Sequence, residues 1–148
     1  MKNYTLLLIG LLFLESLSGQ ENRKFILFDK DSKITGIYFS DYKRFTPNEN
    51  EFLFADSIAN AYVAKYSNKF THDNTQINDY QDYYKQVYGL IDKNENKIIL
   101  LNCFCSVKDI TYWKEKYVSI MGGGKCFFSI KINLNERKIF DFWINAPQ

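Results

Sequence analysis

Two hydrophobic periods divide the chain. Behind the segment Thr46-Pro47-Asn48-Glu49, apolar residues return at helical spacing. Phe54, Ala55, Ile58, Ala61 and Tyr62 form the predicted inward face, while Glu51, Asp56, Asn60 and Lys65 stay polar. The segment in front reads as a capping box: Thr46 is the expected N-cap, Pro47 the first helical residue, and Glu49 the side chain that reaches back to the cap. The helix is expected to end between Tyr66 and Asn68. Lys69 to Asp82 is polar and reads as a loop.

From Tyr83 onward the period falls to two. Tyr83–Asp92 and Lys97–Cys105 form an expected hairpin around Lys93-Asn94-Glu95-Asn96. The second of these strands is apolar on both sides, Ile98, Leu100 and Phe104 against Ile99, Leu101 and Cys103, so it should be central and covered on both faces. Ser106–Lys116 is a connection that holds Trp113. Tyr117–Met121 is an expected strand, followed by a turn at Gly122-Gly123-Gly124. Lys125–Leu134 alternates, with Cys126, Phe128, Ile130, Ile132 and Leu134 inward and Lys125, Ser129, Lys131 and Asn133 outward. Asn135-Glu136-Arg137 turns the chain into Lys138–Asn145, where Phe140, Phe142 and Ile144 should share a face. Before the helix, Lys24–Phe28, a turn at Asp29–Ser32 and Ile34–Phe39 suggest one more hairpin.

One amphipathic helix and a series of hairpin-linked strands give an α+β fold, with the helix laid on a curved antiparallel sheet of about five to seven strands. This element order resembles cystatin-like and NTF2-like folds.

The first residues carry a different pattern. Lys2 is followed by the apolar run Leu6 to Leu14, broken only by Gly10, and then by the small residues of Ser16-Leu17-Ser18-Gly19-Gln20. These are the three parts of a secretory signal peptide. The run is too short for a bilayer, which takes about 20 apolar residues. The reading is a signal peptide over 1–19, cleaved after Ser18, Gly19 or Gln20, and a single α+β domain over 20–148. The product is expected to be soluble, without a membrane span, and periplasmic or secreted.

Composition narrows the partners. The net charge is only +2 and the basic residues are dispersed, so the basic stripe of a nucleic-acid footprint is missing and no nucleic-acid partner is expected. Aromatic residues make up 18% of the chain, which suits a sheet-rich core. The three cysteines are Cys103, Cys105 and Cys126. Cys103 and Cys105 share one face of a strand, so Cys126 is the better disulfide partner for either; Cys105–Cys126 is a candidate pair, and the sequence leaves the pairing among the three open. A zinc site of three thiolates completed by His72 lacks the usual C-x₂₋₄-C spacing. No metal or cofactor is expected.

The remaining motifs divide into sharp and plain readings. Gly122-Gly123-Gly124-Lys125 is followed by Cys126 and a strand pattern instead of a Ser/Thr opening a helix, so it reads as a turn and not a phosphate loop. His72, beside Asp73, has no nucleophile at a recognisable spacing and reads as a loop residue. Lys85-Gln86-Val87-Tyr88-Gly89 resembles the Gln-x-Val-x-Gly loop of cystatins, which inhibit papain-like proteases, but Lys85 stands in the Gln position and the turn comes later. Tyr80, Tyr83, Tyr84 and Tyr88 concentrate aromatic edges over nine positions, and Trp113 and Trp143 add two indoles. Tyr80, Tyr83, Tyr84, Tyr88 and Trp113 are the candidate binding residues, suited if exposed to stacking on sugars or to a protein partner.

Tyr84 to Gly89, Lys97 to Cys105, Trp113-Lys114, Gly122-Gly123 before Phe127-Phe128, and Phe142-Trp143-Ile144-Asn145 together resemble small exported proteins of unknown function in Gram-negative bacteria. Gln86 keeps that group's polar strand position. Gly122 stands where an Asp is expected, and Asn145-Ala146-Pro147 replaces the usual ending. The resemblance covers about Tyr83 to Pro147 and implies export, with no activity attached. The leading expectation is a binding module with an unknown protein or small-molecule partner. The alternatives are an NTF2-like pocket enzyme, which needs polar groups converging in a cavity between helix and sheet, and a cystatin-like inhibitor, which needs protruding hairpin tips.

Overall fold

The computed structural model of the protein describes residues 23–33, 39–69 and 77–146. The expected signal peptide, most of the Ile34–Phe39 strand and the loop residues around His72 lie outside the described residues. The described residues form an α+β fold in which one helix packs against a mixed, mostly antiparallel sheet of six strands that does not close into a barrel.

The strands are β1 (Phe25–Leu27), β2 (Lys43–Phe45), β3 (Tyr84–Ile91), β4 (Lys97–Phe104), β5 (Phe127–Asn133) and β6 (Lys138–Ile144), and the helix α1 spans Glu49–Tyr66. Their order is β1-β3-β4-β5-β6, with β2 also on β3. β1 and β2 share one edge of β3 end to end. β1 runs parallel to it from Phe25 opposite Lys85, and β2 antiparallel from Lys43 opposite Ile91. The parallel pairing makes the sheet mixed where an all-antiparallel one was expected, and the described neighbour of β1 is β3. Gly89, opposite Phe45, has no room for a side chain, because an added Cβ would meet the Phe45 carbonyl oxygen and ring. Gly89→Ala should therefore destabilise by about 1–3 kcal/mol, measured by urea unfolding, since β2 must move off the sheet edge.

The start of α1 falls two residues later than its pattern predicts. Asn48 is the N-cap: its side chain accepts the Glu51 N–H at 2.9 Å, and Glu51 accepts the Asn48 N–H at 3.0 Å. Thr46 is already engaged, donating to Asp29 at 2.9 Å and accepting the Lys30 N–H at 3.0 Å. Pro47 thus precedes the cap and Glu49 opens the helix. The buried face is also rotated. It is Phe52, Ala55, Asp56, Ala59 and Val63, while Phe54 and Ala61 face solvent and Ile58 and Tyr62 lie at the margin. Two alanines on this stripe let the helix lie close to the sheet, and Phe52 stacks on Phe25 at 4.3 Å.

β4 is the centre of the sheet and is buried from Ile98 through Phe104. On the helix side the rows align Val87, Leu101, Ile130 and Phe142, and next to them Lys85, Cys103, Phe128 and Ile144. Apart from Lys85, these side chains form the main core with α1. β6 departs from its expected alternation. The register slips between Lys131 and Ile132, so Ile139 pairs with Ile132 and Phe140 becomes an exposed bulge residue.

Among the described residues the opposite face is covered over β3 and β4. Phe28 and Phe39 pack on Tyr88, Leu90, Ile98 and Leu100, while Ile110, Trp113 and Val118 pack on Phe104. The last three belong to a strap, residues 105–126, whose ends are joined by the Cys105–Cys126 disulfide. The expected strand Tyr117–Met121 is not formed; this stretch is irregular. Side-chain amides of the sheet take the place of a strand ladder. Gln86 Nε2 donates to the carbonyls of Trp113 and Lys116, its Oε1 accepts the Val118 N–H at 2.9 Å, and Asn102 Nδ2 donates to the Val118 carbonyl at 2.8 Å. Asn145 Nδ2 donates to Ile120 and Gly122. With its polar backbone groups met in this way, the strap has no need of a neighbouring strand.

Candidate functional site

Because the strap stops over β4, the same face of β5 and β6 is left open among the described residues. The result is a groove of about 390 Å³ between the strap wall, Tyr117 to Ile120, and the sheet floor. Its floor holds Leu100 and Asn102 of β4, Ser129 and Lys131 of β5, and Asp141 and Trp143 of β6, with Asn145 at the end. Strand alternation explains the set. Asn102, Ser129 and Trp143 form one cross-strand row, and Leu100, Lys131 and Asp141 the next. The Trp143 side of the groove is the most accessible large apolar surface on the sheet, since that residue is 67% exposed. Lys131 and Asp141 pair at 3.0 Å. Such a groove, apolar in part with a few placed polar groups, has the chemistry of a ligand site.

The five candidate binding residues do not form this surface, and they do not form any exposed patch. Tyr80, Tyr83, Tyr88 and Trp113 are buried and Tyr84 is half-buried. They also divide between the two faces. Tyr80 and Tyr83 pack in the helix-side core against Phe128, with Tyr83 donating to the Lys125 carbonyl at 3.0 Å. Tyr88 stacks on Phe28, and Tyr84 and Trp113 pack with Phe104 under the strap. Burial pushes the Tyr83 hydroxyl up to about 12 and raises those of Tyr80 and Tyr88 as well. The reason for the mismatch is that β3 is covered on both sides, so its tyrosines build core instead of surface. The same burial places Lys85 to Gly89 inside a strand, far from any hairpin tip.

Between α1 and the sheet lies a polar cluster that the sequence pattern did not show. Asp56 and Lys85 approach to 3.4 Å, both are almost fully buried, and Tyr80 donates to Asp56 at 2.7 Å. The Lys85 ammonium also sits 4.3 Å from the centre of the Tyr80 ring. These groups satisfy one another within the packed interface.

Cys103 is a free thiol in the same core. Desolvation pushes it well above the ordinary thiol range, which leaves little thiolate to react. Iodoacetamide should label it only after denaturation, and mass analysis of the native and unfolded protein checks this. With Cys105 and Cys126 bonded to each other, the three thiolates do not form a zinc site; His72 lies outside the described residues. Among the described residues no group of His, Cys, Asp and Glu side chains is arranged to hold a metal, and no helix is long and apolar enough to cross a membrane.

Comparison with protein-family models, with curated proteins and with solved structures gives no match to this chain. The functional reading therefore rests on the geometry of the groove.

Proposed function

We propose that the protein is an exported binding module whose ligand lies in the groove between the strap and the open face of β5 and β6. The observation that carries this reading is Trp143, an exposed indole beside Ser129 and Asp141 on a rigid sheet. Rigid aromatic side chains next to hydrogen-bonding groups give binding surface at small entropic cost. Export is supported by the pattern of residues 1–19 and by the disulfide, which persists in oxidising compartments.

The helix–sheet interface speaks against the pocket-enzyme alternative, since its polar groups, Asp56, Lys85 and Tyr80, are engaged with each other. The inhibitor alternative loses its motif to the interior of β3.

Trp143 is also the reporter for the test. A ligand entering the groove should shift its fluorescence, whereas the buried Trp113 contributes a steady background. Trp143→Ala should weaken ligand binding, followed by calorimetry, by about tenfold or more while changing stability by no more than about 0.5 kcal/mol, as expected for a surface substitution. A library of neutral and charged small molecules and peptides that leaves Trp143 emission unmoved would defeat the binding reading. N-terminal sequencing of the protein recovered from an expressing bacterium tests export; an intact Met1 would defeat it.

A further inference from the structure

We infer that the ligand of this groove is an uncharged glycan with a sugar ring stacked on Trp143, an inference that rests on the groove being the binding site. Along β6 and its continuation, Asp141, Trp143 and Asn145 line the groove together. Strand geometry spaces alternate residues by about 6.6–6.8 Å. The exposed indole therefore has a carboxylate on one side, an amide on the other and the Ser129 hydroxyl across the strand. A pyranose ring has the matching shape. Its C–H face lies flat on an aromatic ring, and its equatorial hydroxyls point outward from the ring edge to where these polar groups stand.

The hydrogen-bonding bias points the same way. Asn102 uses Nδ2 on Gln86 and Val118, and Asn145 uses Nδ2 on Ile120 and Gly122. The atom each amide has left to offer is its acceptor oxygen. Together with the Asp141 carboxylate, these oxygens suit a ligand rich in O–H donors. Charge excludes the competing aromatic-stacking ligands that carry phosphate or carboxylate. Lys131 is the cation lining the groove, and Asp141 neutralises it at 3.0 Å. An anionic ligand, a nucleotide included, would meet a cation that is already neutralised, with the Asp141 carboxylate beside it to repel it.

The experiment is an isothermal titration calorimetry series, whose heat signal does not depend on Trp143, of the full chain and its variants with neutral malto-, cello-, xylo-, manno- and chito-oligosaccharides. An anionic oligosaccharide and an extended peptide containing Pro and Tyr are run beside them. At least one neutral oligosaccharide should give a saturable response that changes little with added salt. Trp143→Ala should weaken it by about tenfold or more, Trp143→Phe should retain part of it, and Asp141→Asn should weaken it. Melting curves of the variants must match the parent for these losses to count as binding effects, and Trp143→Phe keeps the comparison usable if Trp143→Ala does not fold. No response to any neutral oligosaccharide, or a response indifferent to Trp143, overturns the glycan inference. A peptide or anionic oligosaccharide that binds in its place through Trp143 overturns that inference and leaves the groove as the site. No response to any of the ligands overturns both.

Discussion

Replacing Lys85 by methionine should lower the stability of the domain by about 3–5 kcal/mol, because it leaves the Asp56 carboxylate in the core without its cation. The pair is far from the exposed ion pairs of this protein in kind. The Lys85 side chain is 5% exposed and that of Asp56 12%, whereas Lys43 and Glu95 at the surface are 74% and 68% exposed and are expected to contribute little. Both charges are held by more than each other, through the Tyr80 hydroxyl on Asp56 and the Tyr80 ring under Lys85. Removing Lys85 breaks two of these contacts and cannot be repaired by water without opening the helix–sheet interface. Thermal melts should show Tm falling by roughly 10–20 °C. The companion variant carrying Lys85→Met and Asp56→Leu together should recover much of the loss, since an apolar pair in place of a buried ion pair is often nearly neutral. If the double variant is as unstable as the single one, the damage comes from packing and not from an orphaned charge.

That pair also marks the limit of what could be read from the chain. The helix was legible because its apolar residues recur at 3.6 spacing, yet its inward stripe was misplaced. A rule that counts apolar residues rejects Asp56, and the true face, in which Phe52, Ala59 and Val63 join the expected Ala55, was passed over with it. Only a partner from another element makes an inward aspartate tolerable, and Lys85 lies 29 residues away in a strand. The cap was misplaced for the same kind of reason, since Thr46 is taken by Asp29 from outside the local segment. β3, β4 and β5 were readable because burial on both faces, or strict alternation, leaves a strong local imprint.

The strap was not readable as a strap. Val118 and Ile120 have strand-like spacing, but their hydrogen bonds go to Gln86, Asn102 and Asn145, three side chains distant in sequence. The groove follows from where that strap stops, so its position was hidden as well. Part of its lining was visible, since Ser129 and Lys131 stood out as the polar side of an alternating strand. The tyrosine cluster misled because density of aromatic residues in sequence carries no information about which face of a doubly covered strand they occupy.

Opening the Cys105–Cys126 bond should have the next largest effect, and it should act on two levels. The bond closes a loop with a sequence separation of 21, and chain entropy assigns such a cross-link about 3 kcal/mol of stability. Urea unfolding of the Cys105→Ser, Cys126→Ser variant, or of the protein under reductant, should show that loss; Cys103, buried and unreactive, does not complicate the measurement. The second effect is local. The disulfide ties the two ends of the strap at the base of the groove wall, beside the Cys105 N–H donated to the Cys126 carbonyl at 3.0 Å. Amide exchange across residues 105–122 should quicken in the variant, and least at Val118, whose N–H is held by Gln86 in the buried sheet face. Exchange in β4 and β5 away from the strap should follow global stability alone. A variant that loses stability while its strap exchanges as in the parent would show the bond acting only on the unfolded chain. The groove wall would then be held by Gln86, Asn102, Asn145 and the Trp113 cluster without it. If the strap does loosen, ligand affinity in the groove should fall along with it, because Tyr117 to Ile120 form one side of that site and are positioned by the loop the disulfide closes.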